Sequence, residues 1–109
     1  MGSKYDRAYH WLQGMYADRY YPKILVDRVR AELERVVGWL ELGEHDADEI
    51  QAEFDSMTKA INELSGIFYE NDSELDTNAR NAIAIDVINI IKYFDLPVKV
   101  DAALRLRTW

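Results

Sequence analysis

Residues 50–68 read IQAEFDSMTKAINELSGIF, and their large apolar side chains repeat with the period of an α-helix. These side chains lie alternately four and three residues apart: Ile50, Phe54, Met57, Ile61, Leu64 and Phe68. Such spacing places all of them on one face of a helix. Asp46 and Glu49 precede the run in the pattern of a capping box, so we predict that this helix begins near Ala47.

The preceding stretch has the same character. Its apolar residues follow one another at steps of four or three: Leu25, Val29, Leu33, Val36 and Leu40. Proline is favoured in the first turn of a helix and glycine just after the last, so Tyr21-Pro22 is predicted to open this helix and Gly43 to end it.

A third helix is predicted between Ser73 and Asp95. Ser73 is its expected N-cap, with Asp76 at the third helical position, and Pro97 limits its end because the residue before a proline avoids helical geometry. The residues expected to face inward are Leu75, Ala79, Ala82, Ile83, Val87, Ile90, Ile91 and Phe94.

Both ends of the chain carry weaker helical patterns. Residues 4–13 are predicted to form a short amphipathic helix that Gly14 ends, and residues 101–106 to form one or two final turns. No segment alternates with period two, so the expected fold is all-α and a single domain. Short connections favour an antiparallel bundle of three long helices, with a short N-terminal helix and a short C-terminal helical tail.

The amino-acid composition excludes several kinds of functional site. The chain has 109 residues and no cysteine, which excludes disulfides, thiolate metal sites and a cysteine nucleophile. Its apolar runs fall well short of the roughly 20 residues of a membrane-spanning helix. We therefore expect a cytoplasmic protein, and no motif points to a cofactor or a bound metal.

Charge is concentrated in the middle third of the chain. Residues 41–76 hold twelve acidic residues and one basic residue, Lys59, a net charge of −11, whereas the whole chain carries −7. Such a region repels phosphate backbones and anionic lipids, so we expect neither nucleic acid nor membrane as a partner. A basic protein is the expected partner, and the chain itself is expected to be a monomer or a weak homodimer.

Three segments resemble a family of small, uncharacterised bacterial proteins known only as a domain of unknown function. They are Met15-Tyr16-Ala17-Asp18-Arg19-Tyr20-Tyr21-Pro22 with Leu25-Val26-Asp27, then Glu70-Asn71-Asp72-Ser73-Glu74-Leu75-Asp76-Thr77-Asn78-Ala79-Arg80, and the closing Arg107-Thr108-Trp109. The resemblance implies a bacterial, single-domain, largely helical protein, and it supplies no catalytic residue.

Metal binding is poorly supported by the spacing of acids and histidines. Asp72, Glu74 and Asp76 alternate like the opening of a calcium loop, but Thr77 and Ile83 stand where the required glycine and glutamate would be. Helix capping explains these acids better.

The two histidines lie far apart in the sequence. His10 and His45 are separated by a whole predicted helix, and neither has a second histidine at helical spacing. We expect His45 to be exposed in its acidic loop. His10, beside Trp11, is a weak candidate for a general base because no partner residue can be named.

The candidate binding residues are an aromatic group near the N-terminus, an acidic group on the second long helix, and Arg80. Tyr16, Tyr20 and Tyr21 belong to a cluster that places six of the thirteen aromatic residues within the first 21 positions. This cluster suits either a binding surface or the packing of a short helix. Arg80 suits an ion pair with Glu74, Asp76 or the acidic helix; binding of an external anion is the alternative.

The second group lies on the acidic helix, predicted at residues 47–69, where Glu49, Glu53 and Asp55 are the candidate contacts for a partner. The first hypothesis is therefore a non-enzymatic protein–protein interaction module. One alternative is an immunity protein that neutralises a basic toxin. Another is a small ligand-binding protein or enzyme, with a pocket between the N-terminal helix and the bundle that uses His10, Tyr16, Tyr20 or Arg80.

Overall fold

Five helices make up the computed structural model, which describes residues 9–109. Their bounds are α1 Gln13–Tyr16, α2 Lys23–Leu40, α3 Ala47–Glu70, α4 Thr77–Phe94 and α5 Val100–Ala103. No strand occurs within this described part of the chain, so the predicted all-α class is confirmed. None of these helices is long and apolar enough to cross a membrane.

The apolar faces predicted for α2 and α3 are buried throughout. Helix α3 begins at the predicted residue, Ala47, and its capping box is complete: the Glu49 N–H donates to the Asp46 carboxylate, and the Asp46 N–H donates to the Glu49 carboxylate. Helix α2 follows Pro22 as predicted and ends at Leu40, three residues before Gly43.

The start of α4 differs from the prediction. Asp76, rather than Ser73, is the N-cap, and its carboxylate accepts the Ala79 N–H at 3.1 Å. Aspartate caps a helix as well as serine does, so the later residue satisfies the first turn. Ser73 is buried instead, and its hydroxyl has no hydrogen-bond partner among residues 9–109.

The far end of α4 agrees with the prediction. The helix ends at Phe94, and Asp95 adopts the left-handed conformation. Of the side chains predicted to face inward, all are buried except Ile91 and Phe94, which are partly buried against the core.

The predicted N-terminal helix is wrong in its described part. Residues 4–8 of that prediction lie outside the described residues, and residues 9–12 are not helical. In the described part of this segment the helical turn α1 begins at Gln13 and contains Gly14, which was expected to end the helix. Leu12 is responsible, because it takes a left-handed φ of 50° with its side chain fully buried.

Helix α2 packs against both α3 and α4, and α1 packs against α2 and α4. The final turn, α5, contacts α3 and α4. Polar side chains of α3 hold the C-terminal residues: the Thr58 hydroxyl donates to the Ala103 carbonyl at 3.1 Å, and the Asn62 amide to the Leu106 carbonyl at 2.9 Å. The predicted C-terminal turn is therefore present, starting at Val100.

Candidate functional site

A buried carboxylate holds the N-terminal segment (residues 9–22) against α4. Asp86 accepts the Tyr9 hydroxyl on one oxygen and the Leu12 N–H on the other, at 2.8 Å for the latter. The Asn89 amide donates in turn to the Tyr9 hydroxyl at 2.8 Å. Burial raises the pKa of Asp86, and the two hydrogen bonds it accepts oppose that rise. Among residues 9–109, no cationic side chain pairs with this carboxylate.

A cavity of about 220 Å³ lies between the N-terminal segment and α4. Tyr9, His10 and Gln13 line it on one side, and Asp86 and Asn89 on the other. His10 and Gln13 are solvent-exposed, so the cavity opens to the surface beside them.

A wider groove of about 580 Å³ continues along the same segment. Trp11, Tyr16 and Arg30 line it, together with Tyr9 and His10, which also line the cavity. The groove thus joins His10 and Tyr16, two residues of the predicted pocket. The other two, Tyr20 and Arg80, do not line it.

The side chains at the groove also contact neighbouring charged groups. The Tyr16 hydroxyl donates to Asp27, and burial, followed by this hydrogen bond, raises the pKa of Tyr16. Arg30 forms an exposed ion pair with Glu34 at 3.3 Å.

Tyr21 is a core residue rather than a surface residue. Only 1% of it is exposed, its hydroxyl donates to Asp76, and the Asn78 amide donates to the hydroxyl at 3.3 Å. Burial and the hydrogen bond to Asp76 raise the pKa of Tyr21 to about 12. The adjacent Tyr20 is 43% exposed. Burial raises its pKa, and the charges of Glu74 and Asp76 add to that rise.

The predicted acidic contacts on α3 are engaged within the chain. Glu53 pairs with Arg35 of α2. Asp55 pairs with Arg105 at 2.6 Å, and the guanidinium holds the pKa of this carboxyl below its usual range. Glu49 is exposed, but its carboxylate completes the helix cap. Two of the three predicted contacts in the first half of α3 are therefore neutralised by arginines.

Unpaired acids lie at the other end of α3. Glu70, Asp72 and Glu74 are exposed, and no ion pair within residues 9–109 includes them. Tyr69, next to Glu70 in the sequence, is 75% exposed. The charge of Glu74 contributes to the raised pKa of Tyr20. We call these five residues the acidic end.

Arg80 makes a different contact from the one predicted. Its guanidinium donates to the Thr77 hydroxyl at 3.0 Å, one turn earlier on α4. The predicted ion pair with Glu74 or Asp76 is not formed within the described part of the chain. The helical spacing of Arg80 and Thr77 explains the local contact.

His45 is half-buried, which corrects the expectation of an exposed ring. The ring stacks on Trp39 with centroids 3.6 Å apart, and Nε2 donates to the Trp39 carbonyl at 3.0 Å. The connection between α2 and α3 folds back over the end of α2, a tertiary effect that local composition does not reveal. A separate cavity of about 360 Å³ lies beside His45.

Sequence reasoning missed Asp86, Asn89 and Arg30. A signal for the first was present, because Asp86 is the one charged residue in the otherwise apolar or uncharged run AIAIDVINII, residues 82–91. It lies three residues after Ile83 and four before Ile90, on the face that α4 buries. An acid in such a position needs donors from another element.

Comparison with known proteins identifies a family, but no activity is known for that family. A model described as a family of unknown function (DUF5713) matches residues 5–109. No curated protein and no solved structure matches the chain.

Proposed function

Because the chain belongs to DUF5713, a family of unknown function, its activity has to be inferred from its own residues, and we propose that it is a non-enzymatic protein that binds a basic protein partner. In this proposal it acts in the bacterial cytoplasm as a monomer or weak homodimer. Its three long helices run antiparallel, in keeping with connections of six residues between α2 and α3 and between α3 and α4.

The observation that carries the proposal is the uneven pairing of the acids. Glu53 and Asp55, in the first half of α3, are neutralised by Arg35 and Arg105. The acids of the acidic end have no such partner among residues 9–109. Unpaired charge of one sign speeds and selects association with a partner of the opposite sign.

The exposed tyrosines support a protein partner. Tyr69 and Tyr20 stand beside the acids with 75% and 43% of their surfaces exposed. An aromatic ring next to carboxylates suits lysine and arginine, because the ring attracts the cation while the carboxylate pairs with it. A basic toxin held at its active site is one partner with this chemistry, as the immunity-protein alternative requires.

The test compares partner capture by the tagged wild type and by a variant with a neutralised acidic end. The substitutions are Glu70→Gln, Asp72→Asn and Glu74→Gln, which preserve side-chain size, and asparagine tolerates the left-handed φ of 60° at position 72. Proteins captured from the native bacterium are identified by mass spectrometry at low and moderate salt. We expect a basic protein in stoichiometric amount that the wild type loses as salt rises, and that the variant captures at least tenfold less.

A control variant loses the same charge elsewhere on the surface, through Glu44→Gln, Asp48→Asn and Asp101→Asn. All three acids are exposed, and the control should capture the partner as the wild type does. Equal loss in both triple variants would show that net charge, and not the acidic end, attracts the partner. Unchanged capture by the neutralised acidic end would contradict the proposal.

A further inference from the structure

Within residues 9–109, the partners of Asp86 leave its charge uncompensated. Buried carboxylates in proteins are ordinarily matched by a cation, because hydrogen bonds from neutral groups offset only part of the cost of removing the charge from water. Asp86 is 3% exposed, and the two donors that reach it from the described part of the chain, the Tyr9 hydroxyl and the Leu12 N–H, are neutral.

The carboxylate also has acceptor capacity that the described donors do not use. A carboxylate offers about four lone-pair positions, and two donors among residues 9–109 bond to Asp86. The same side chain lines the cavity of about 220 Å³ between the N-terminal segment and α4. A cation placed in that cavity is within reach of both the carboxylate and solvent.

The remaining walls describe the rest of the ligand. Ala82 and Ile85 supply apolar surface from α4, and Gln13 and Asn89 supply amide groups. A cavity of about 150 Å³ is large enough for a benzene ring, so this one accommodates a ring or short chain with one polar head. A bare anion is disfavoured because Asp86, the buried charged residue that lines the cavity, is negative.

We propose that this cavity binds a small primary amine, with its ammonium group on the carboxylate of Asp86 and its apolar part against Ala82 and Ile85. This site is separate from the acidic end and does not depend on a protein partner. Leu12 reports on it directly, because its N–H is bonded to the carboxylate that would receive the ammonium.

The test is an NMR titration of the full chain with benzylamine, monitored at the backbone amide of Leu12. Benzyl alcohol and benzoate serve as neutral and anionic probes of the same shape. We expect benzylamine to shift the Leu12 resonance saturably, and benzyl alcohol and benzoate to bind at least tenfold more weakly, since a charge-assisted hydrogen bond is stronger than a neutral one.

Two variants locate the binding. Asp86→Asn keeps the side-chain shape without the charge and should weaken benzylamine binding about tenfold or more. Asp48→Asn removes an exposed acid and should leave the affinity unchanged. The absence of a saturable shift, equal binding of benzyl alcohol, or equal affinity in Asp86→Asn would each overturn the proposal. If Asp86→Asn does not fold, the three probes on the wild type decide the question alone.

Discussion

Two interfaces in the molecule are held together by different kinds of contact: the one between α2 and α3, and the one between the N-terminal segment and α4. Between α2 and α3 the buried residues are apolar, as with Leu33 and Phe54, and charged pairs such as Arg35–Glu53 lie at the surface. Between the N-terminal segment and α4, hydrogen bonds to carboxylates cross the interface, from Leu12 to Asp86 and from Tyr21 to Asp76. An apolar contact depends mainly on buried volume, so another apolar residue of similar size can replace the original one. A hydrogen bond to a carboxylate depends instead on direction and on protonation.

This difference separates the two interfaces by their expected response to pH. The buried part of the interface between α2 and α3 contains no acidic or basic side chain, so pH should affect its stability little. The polar interface contains the cavity beside Asp86 and the contact of Tyr21 with the cap of α4. The stability of variants in each interface can therefore test whether the two interfaces differ as the structure indicates.

The largest effect is expected in the apolar interface. Phe54 is fully buried on α3, and Phe54→Ala should lower the free energy of unfolding by about 3–5 kcal/mol, through lost burial and the cavity left behind. Urea unfolding followed by circular dichroism measures the loss. The loss should be nearly equal at pH 5 and pH 8, because no titrating group is removed.

Ile24→Ala is the matched control on α2, since this side chain is 73% exposed. Its effect should lie within about 0.5 kcal/mol of zero. A loss in the control as large as that of Phe54→Ala would show that α2 and α3 do not bury their faces as described.

The polar interface should show an intermediate effect that changes with pH. Asp86→Ala leaves the buried Leu12 N–H without its acceptor, at a cost of about 1–3 kcal/mol. The pKa of Asp86 is raised in the folded state from 3.8, so the carboxyl contributes most stability below that value and loses it as pH rises through the folded-state pKa.

The difference in unfolding free energy between the wild type and Asp86→Ala should therefore be larger at pH 4 than at pH 8. Urea unfolding across this range measures it, and the difference between the proteins removes contributions from other groups. A gap that widens as pH rises would mean that Asp86 has a cationic partner in the folded protein.

The same contrast explains which parts of the structure could be predicted from the sequence. Periodicity predicted the buried faces of α2 and α3 because each residue there is placed by its own helix, and the capping box at Asp46 is equally local. The start of α4 was misplaced because Ser73 and Asp76 are both good caps, and only packing decides between them.

The candidate sites depended on tertiary contacts and were harder to predict. Leu12 carries no local signal for a left-handed backbone, since its conformation accompanies burial and a bond to a residue 74 positions away. Glu53 and Asp55 were predicted as partner contacts, yet each meets an arginine from a different part of the chain. Net charge per segment was readable in the sequence, but its pairing was not.

The smallest of the three effects is expected at Tyr21, where Tyr21→Phe removes only the hydroxyl that joins the N-terminal segment to the cap of α4. Below pH 10 the loss should be about 1 kcal/mol, because Asp76 keeps its bond from the Ala79 N–H. The pKa of Tyr21 is raised from 10.0 to about 12, so this contribution is complete below pH 10.0 and disappears as pH rises through about 12. The gap between wild type and variant, measured by urea unfolding, should therefore narrow from pH 9 to pH 12. A gap that stays constant over that range would place the Tyr21 hydroxyl in solvent, and the interface between the N-terminal segment and α4 would then depend on Asp86 without a second carboxylate contact.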